Sequence, residues 1–142
     1  MEQITISESY KKINKYSRNE RSIGISMFHI EWCTKYRYKM FSKIKYKNLI
    51  EACIRRAASK KGIKIIEIDV QPEHVHCVVG VSFSITVSKV FQLLKGTSAR
   101  LFFQFHKKAK LRSPKGHLGG REKFASSVGF VQLDKVRDYV RN

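Results

Sequence analysis

Apolar residues along this chain switch repeatedly between two periods, and each switch marks an element. From Gly24 to Thr34 the residues Ile25, Met27, Phe28, Ile30, Trp32 and Cys33 predict a first, largely buried strand. Lys43 to Lys61 places Ile44, Leu49, Ile50, Cys53, Ile54 and Ala57 at helical spacing, with Gly62 following as a C-cap. Ile63 to Val70 returns to strand through Ile63, Ile65, Ile66, Ile68 and Val70, and Gln71-Pro72-Glu73 turns the chain into a hairpin with the strand that starts at His74 and is bounded by Gly80. Ile85 to about His106 is a second helix, with Val87, Val90, Phe91, Leu94, Leu101, Phe102 and Phe105 on its apolar face and a bend expected at Gly96. Lys107 to Lys123 carries little apolar content and is read as the one real loop. Phe124 to Phe130 is a fourth strand, and Leu133 to Asn142 a last helix with Leu133, Val136 and Val140 on one side. The order predicts an α+β fold: a ferredoxin-like βαββαβ sandwich with an antiparallel sheet, plus an extra C-terminal helix carrying a tyrosine.

Residues 1–22 do not share this patterning. They are polar and basic, with Lys11, Lys12, Lys15, Arg18 and Arg21, and are expected to form a flexible arm ahead of a single domain over 23–142. The 42% hydrophobic content excludes global disorder. No apolar run approaches the roughly 20 residues of a membrane span, and the N-terminus lacks the apolar core of a signal peptide. Cys33, Cys53 and Cys77 are odd in number and far apart, which suits reduced thiols rather than disulfides or a zinc cluster. A soluble cytoplasmic protein with no membrane role is expected. Charge then narrows the partner. Lys and Arg number 29 against 11 acids, a net +18, which calls for a polyanion, and nucleic acid fits a folded basic domain better than a membrane surface.

Three stretches carry candidate chemistry. In the strand from His74, residues i and i+2 share a face, so His74 and His76 stand side by side while Val75, Cys77 and Val79 point the other way. Two neutral imidazoles so placed make two ligands of a divalent-metal site; equally, one is a core histidine and the other a surface one. Lys35-Tyr36-Arg37-Tyr38-Lys39 interleaves rings with cations, as single-stranded nucleic acid requires, or forms a solvated loop whose rings lean on the core. Tyr139 flanks the apolar face of the last helix, either as a core-edge residue or as a nucleophile that a metal-polarised phosphate assists.

Five motifs in order give these stretches a common meaning. They are Trp32-Cys33-Thr34-Lys35-Tyr36-Arg37, Pro72-Glu73-His74-Val75-His76, Leu94-Lys95-Gly96-Thr97-Ser98, Ser126-Ser127-Val128-Gly129 and Tyr139-Val140 with Asn142. Over residues 24 to 142 the chain resembles the small single-tyrosine transposases of the HUH endonuclease superfamily, including the REP-associated type. The resemblance implies a protein that moves insertion sequences as single-stranded DNA and recognises hairpins near their ends. It implies that His74 and His76 hold Mg2+ or Mn2+, and that Tyr139 attacks the scissile phosphate to leave a 5′-phosphotyrosine and a free 3′-hydroxyl. It implies a homodimer in which the tyrosine helix serves its own or the other subunit's His pair. DNA contacts are expected at Lys35, Tyr36, Arg37, Lys95, Lys107, Lys108, Lys110 and Arg112. Two positions depart from the family: the third metal ligand, a Gln one turn after the tyrosine, falls beyond Asn142, and no Trp accompanies His117-Leu118-Gly119-Gly120. A domesticated or inactive relative that binds or nicks hairpin DNA, and a non-catalytic ferredoxin-like RNA-binding module, are the other readings.

Overall fold

In the computed structural model, which describes residues 25–112, 117–129 and 139–141, four strands form one sheet in the order β2-β3-β1-β4. The elements are β1 (Ile25–Thr34), α1 (Ile44–Lys61), β2 (Lys64–Val70), β3 (His74–Ser82), α2 (Val87–Phe105) and β4 (Gly119–Ser127). Every strand pair is antiparallel. This is the expected βαββαβ sandwich. The expected N-terminal arm lies outside the described residues, and of the expected last helix only 139–141 is described, in helical conformation.

Alternation in the strands sorts side chains onto two faces. Ile30 and Trp32 of β1, with Val75, Cys77, Val79 and Val81 of β3, face the helices and are buried with Ile50, Cys53, Ile54 and Ala57 of α1. Val90, Leu94 and Phe102 of α2 complete that core. Phe102 is fully buried, and replacing such a phenylalanine by alanine costs about 3–5 kcal/mol. α1 ends where Gly62 adopts φ 71°, the left-handed conformation that glycine takes without strain. The Thr86 hydroxyl caps α2 by accepting from the Lys89 amide at 3.2 Å, and α2 runs unbroken through Gly96.

The structure corrects the boundary of the last strand. β4 begins at Gly119 rather than Phe124, so part of the expected loop is strand, and Lys107–Arg112 forms 3-10 turns. The cause is tertiary. β4 is an edge strand, polar at Arg121, Glu122 and Lys123, and its pairing with β1 (Thr34 opposite Gly119, Trp32 opposite Lys123) fixes it without an apolar run. Gly120 permits this approach, since a Cβ there would stand 3.0 Å from the Thr34 carbonyl oxygen.

A second irregularity lies in β2. Ile65 pairs with Val79 and Glu67 with Val78, so Ile66 is the extra residue of a bulge. Ile65 joins the helix-side core, whereas Ile66 packs on the other face against Met27, Val78, Val128 and Val140.

Candidate cation and tyrosine site

The face of the sheet away from the helices carries the chemistry. His29 and Glu31 of β1 share it with His74 and His76 of β3, because Glu31 pairs with His76 and Cys33 with His74 in register. Asp69 of β2 flanks His76 on its other side. In a chain with 11 acids and net +18, five of those acids (Glu31, Glu67, Asp69, Glu73 and Glu122) stand on this face or at its rim. Carboxylates gathered around imidazoles in an otherwise basic protein favour a cation there.

Donor atoms of His29, Glu31 and His76 lie within 4.8 Å of one another. His76 Nδ1 is 3.4 Å from Glu31 Oε2, and the His29 and His76 rings stack at 5.9 Å with 13° between their planes. Among the described residues, His29 Nε2 and His76 Nδ1 are buried and have no partner in hydrogen-bond geometry, the Glu31 contact included. Buried polar atoms left unpaired are unfavourable, and an ion satisfies them. Burial holds the His76 pKa below its ordinary 6.5, with His74 pushing the same way and Glu31 and Asp69 opposing. Burial also lowers His29, with His76 adding to the effect and Glu31 opposing it. Both rings are therefore neutral at pH 7, the form that binds metal. The donor set fits a divalent cation. His74 stands next to His76, with ring centroids 4.5 Å apart, and its Nδ1 meets Glu73 Oε1 at 2.8 Å. With Nδ1 so engaged, Nε2 presents its lone pair to a ligand.

Tyr139 lies over this cluster. Its ring centroid is 5.6 Å from that of His29 and 5.9 Å from that of His76, nearly perpendicular to both. The residue is 63% exposed, so the hydroxyl is open to a large substrate. Its two neighbours fix it. Val140 is 1% exposed in the cluster with Met27, Val78 and Val128, and Arg141 Nε donates to Glu67 Oε2 at 2.8 Å. The β2 bulge supplies both anchors by turning Ile66 and Glu67 to the same face.

The expected DNA contacts fall into separate places. Lys35, Tyr36 and Arg37 line an open cavity of about 840 Å³ with Cys33, Thr34, His117, Gly119, Gly120 and Glu122. Tyr36 (φ 55°) and Arg37 (φ 53°) both hold left-handed backbone, which costs of the order of 1–3 kcal/mol per residue. An Arg37–Glu122 ion pair and a 2.5 Å hydrogen bond from the Thr34 hydroxyl to the Tyr38 carbonyl hold the turn in place. Tyr36 remains exposed, with Lys35 Nζ 5.2 Å from its ring. Lys95 is engaged within the fold. Its ammonium donates to the Gly120 carbonyl at 2.9 Å, and burial, then the nearby Lys123, lowers its pKa. Lys107 and Lys108 are exposed at the end of α2, where Ala109 is buried in the helix-side core. Lys110 and Arg112 follow them in the 3-10 segment, and their side chains lie outside the described residues.

His29 and Glu31 are not among the residues that the sequence motifs single out. Their signal was present: two polar residues at i and i+2 in an otherwise apolar strand, the spacing that singled out His74 and His76.

A ferredoxin-like sheet of this topology is the fold of known transposases. A crystal structure of a transposase from Deinococcus radiodurans superposes with a TM-score of 0.68 at 23% identity, covering 87% of this chain and 94% of that one. A REP-associated tyrosine transposase bound to a REP hairpin superposes with a TM-score of 0.59 at 13% identity, covering 81% and 64%. In sequence, the ISDra2 transposase TnpA of Deinococcus radiodurans is 28% identical over 115 residues, 81% of each protein. The transposase of insertion sequence element IS200 from Salmonella typhimurium is 23% identical over 115 residues, 81% of this chain and 74% of that protein. The family model "Transposase IS200 like" matches residues 24–142, and the chain belongs to that family.

Proposed function

We propose that this IS200-like transposase acts on single-stranded DNA with hairpins at the element ends, cutting and rejoining it through Tyr139. The observation that carries the reading is the position of the Tyr139 ring against both His29 and His76. In the reaction, the Tyr139 oxygen bonds to the scissile phosphorus as the P–O3′ bond breaks. The proton lost by the tyrosine ends on the departing 3′ oxygen, leaving a 5′-phosphotyrosine. A second 3′-hydroxyl reverses the step, so phosphodiester energy is conserved and no nucleotide cofactor is consumed. His74 and His76 hold the divalent ion, Mg2+ or Mn2+, which when bound polarises the phosphate. Docking of Val140 and Arg141 confines the attacking oxygen near that phosphate, and confinement of this kind lowers a barrier by several kcal/mol.

The exposed Tyr36 stacks an unpaired base while Lys35 meets phosphate, and Lys107, Lys108, Lys110 and Arg112 extend the basic track. Lys95 acts at one remove, through the Gly120 carbonyl that it holds beside the cavity. The protein works as a homodimer in the cytoplasm, where Cys33, Cys53 and Cys77 remain thiols. An RNA-binding sheet would present a row of aromatics across its bare face; here Phe124 and Tyr139 stand beside His29, Glu31 and His76, a set of donors suited to a cation.

The test is strand cleavage of a hairpin-bearing DNA single strand with Mn2+, beside the same sequence as duplex and as RNA. Cleavage of the single-stranded DNA alone is expected. Equal binding of the RNA with no cleavage of any strand would select the RNA-binding module, and DNA hairpin binding without cleavage the inactive relative.

A further inference from the structure

We propose that the open cavity between the Tyr36 turn and the start of β4 is a base-reading site, in which the Glu122 carboxylate, held by Arg37, accepts from the Watson–Crick edge of one unpaired guanine. The proposal rests on the single-strand reading above and adds to it which base is read and by which side chain.

An irregularity of the sheet builds the site. Trp32 pairs with Lys123 and Thr34 with Gly119, so one β1 residue, Cys33, stands opposite three of β4, namely Gly120, Arg121 and Glu122. A bulge of this kind bends its strand and re-aims side chains. Here it forms one wall of the cavity of about 840 Å³ and carries Glu122 to Arg37 and to within 3.9 Å of Cys33 Sγ. Lys95 of α2 fixes that wall from behind. Its ammonium donates to the Gly120 carbonyl at 2.9 Å, and a Cβ at Gly119 would stand 2.7 Å from Lys95 Cε. The opposite wall is the turn at Tyr36 and Arg37, both in left-handed backbone, a strain that clusters at functional sites.

Charge says what the carboxylate meets. Glu122 is the one acid among the described residues that line the cavity, and it stands with Lys35 and Arg37 in a protein of net +18. A carboxylate repels phosphate, so a strand that follows the cations turns a base, not its backbone, toward Glu122. The side chains of the ion pair are 61% and 67% exposed, and pairs so exposed add little stability. Holding the turn is therefore a weak reason for an acid here, and both groups are open to a ligand.

Donors and acceptors then select the base. A carboxylate only accepts. On its Watson–Crick edge guanine sets two N–H donors side by side, at N1 and at the N2 amine, next to the O6 acceptor. Thymine has a single ring N–H between carbonyls, and adenine and cytosine have one amine beside an acceptor nitrogen. Among the described residues, both contacts of the Glu122 carboxylate fall on Oε2. With Arg37 kept in place, Oε2 accepts from N1–H, Oε1 accepts from the N2 amine, and a second guanidinium nitrogen donates to O6. Cys33 pairs in register with His74, which sets the cavity next to the imidazoles and the guanine close along the strand to the phosphate that is cut.

Equilibrium binding tests this, with EDTA present so that recognition is read apart from cleavage. Fluorescence anisotropy is measured for the full chain on short oligothymidylates that carry one central dG, inosine, dA, dC or dT. Inosine keeps O6 and N1–H and lacks only the N2 amine. Wild type should bind the dG strand about tenfold more tightly than the dT strand, and the inosine strand about threefold or more weakly than dG. Glu122→Gln keeps the side-chain shape but offers one acceptor, so its dG preference should fall to within about twofold. Its affinity for the dT strand should stay at or above wild type, which also shows that the variant is folded. Lys35→Ala should weaken every strand in parallel and leave the dG preference intact. Equal binding of dG and dT strands by wild type, or of dG and inosine strands, would overturn the proposal with single-strand binding intact, and that comparison needs no variant. A dG preference that survives in Glu122→Gln would remove Glu122 from the role, and a preference for dA or dC would remove guanine. Binding of no strand at all would overturn the single-strand reading itself.

Discussion

Residues 139–141 touch the sheet through two anchors, and removing them should separate catalysis from binding. Val140→Ala deletes two buried methyl groups, worth about 1.6 kcal/mol at 0.8 kcal/mol each, and more if the cavity stays open. Arg141 Nε and an Nη both lie 2.8 Å from Glu67 Oε2, in a pair whose side chains are 31% and 12% exposed. Discounted for that exposure, the pair contributes about 1 kcal/mol. At 1.4 kcal/mol per factor of ten, Val140→Ala shifts the docking equilibrium by about 14-fold, Arg141→Ala by about fivefold, and the two together by about 70-fold. These are upper limits on the loss of rate, since a strongly docked turn tolerates part of the shift, and adjacent residues need not add. The assay is single-turnover formation of the covalent protein–DNA adduct, with DNA and Mn2+ saturating. Hairpin affinity and melting temperature should stay near wild type, because the helix-side core is untouched. Exchanging the charges with Glu67→Arg and Arg141→Glu together should recover part of the rate lost in either single variant. A double variant Val140→Ala/Arg141→Ala that reacts within twofold of wild type would refute the reasoning. Equal losses of hairpin binding and of rate would also refute it, by making the turn part of the DNA surface.

Three further outcomes are expected. His74→Ala and His76→Ala should each slow cleavage by about a hundredfold or more while hairpin affinity, which comes mainly from phosphate contacts, remains; near wild-type cleavage in either would remove that residue from the site. If about six phosphates are neutralised by the Lys35–Lys39 and Lys107–Lys123 segments, DNA affinity should fall roughly a thousandfold between about 50 and 200 mM salt, whereas a flat response would make these charges mere solubilisers. His106 stacks on Tyr46 at 3.9 Å, and burial, helped by Lys45, Lys108 and Lys43, lowers its pKa below 6.5. Its folded pKa is thus below its unfolded one, so its contribution to stability is complete above about pH 6.5 and declines as pH falls toward the folded value. Nuclear magnetic resonance titration of His106 should place its midpoint below that of an unfolded peptide, and a midpoint at or above the peptide's would contradict this.

The fold could be read from the sequence because its strands and helices announce themselves by period, and because Gly62 and the turn at Pro72 mark boundaries that local backbone chemistry dictates. β4 could not be bounded, since Gly119 to Lys123 owes its strand conformation to pairing with β1 and not to its own side chains. The β2 bulge was hidden for a related reason. Ile65 and Ile66 are chemically alike, and only the cross-strand register shows that they face opposite ways. His74 and His76 were visible from i, i+2 spacing alone, and the structure brings them to one face as that spacing requires. His29 and Glu31 have the same spacing in β1, but the apolar residues around them mark the strand as largely buried. That they meet His76 depends on β1 lying beside β3, which a linear sequence does not display. Lys95 is expected as a DNA contact; its ammonium reaches back to Gly120, a long-range contact no local pattern foretells.

Whether Tyr139 is the nucleophile is tested most directly by mapping the covalent adduct. Wild type and Tyr139→Phe are each incubated with a hairpin-bearing DNA single strand and Mn2+, denatured, digested, and the DNA-linked peptide is located by mass spectrometry. Tyr139→Phe removes one hydroxyl from a residue that is already largely exposed, so fold and hairpin binding should survive. The prediction is a 5′-phosphate on Tyr139 in wild type, with no adduct and no cleavage in Tyr139→Phe. An adduct that persists in Tyr139→Phe and maps to Tyr36, Tyr38, Tyr46 or any other residue would contradict it.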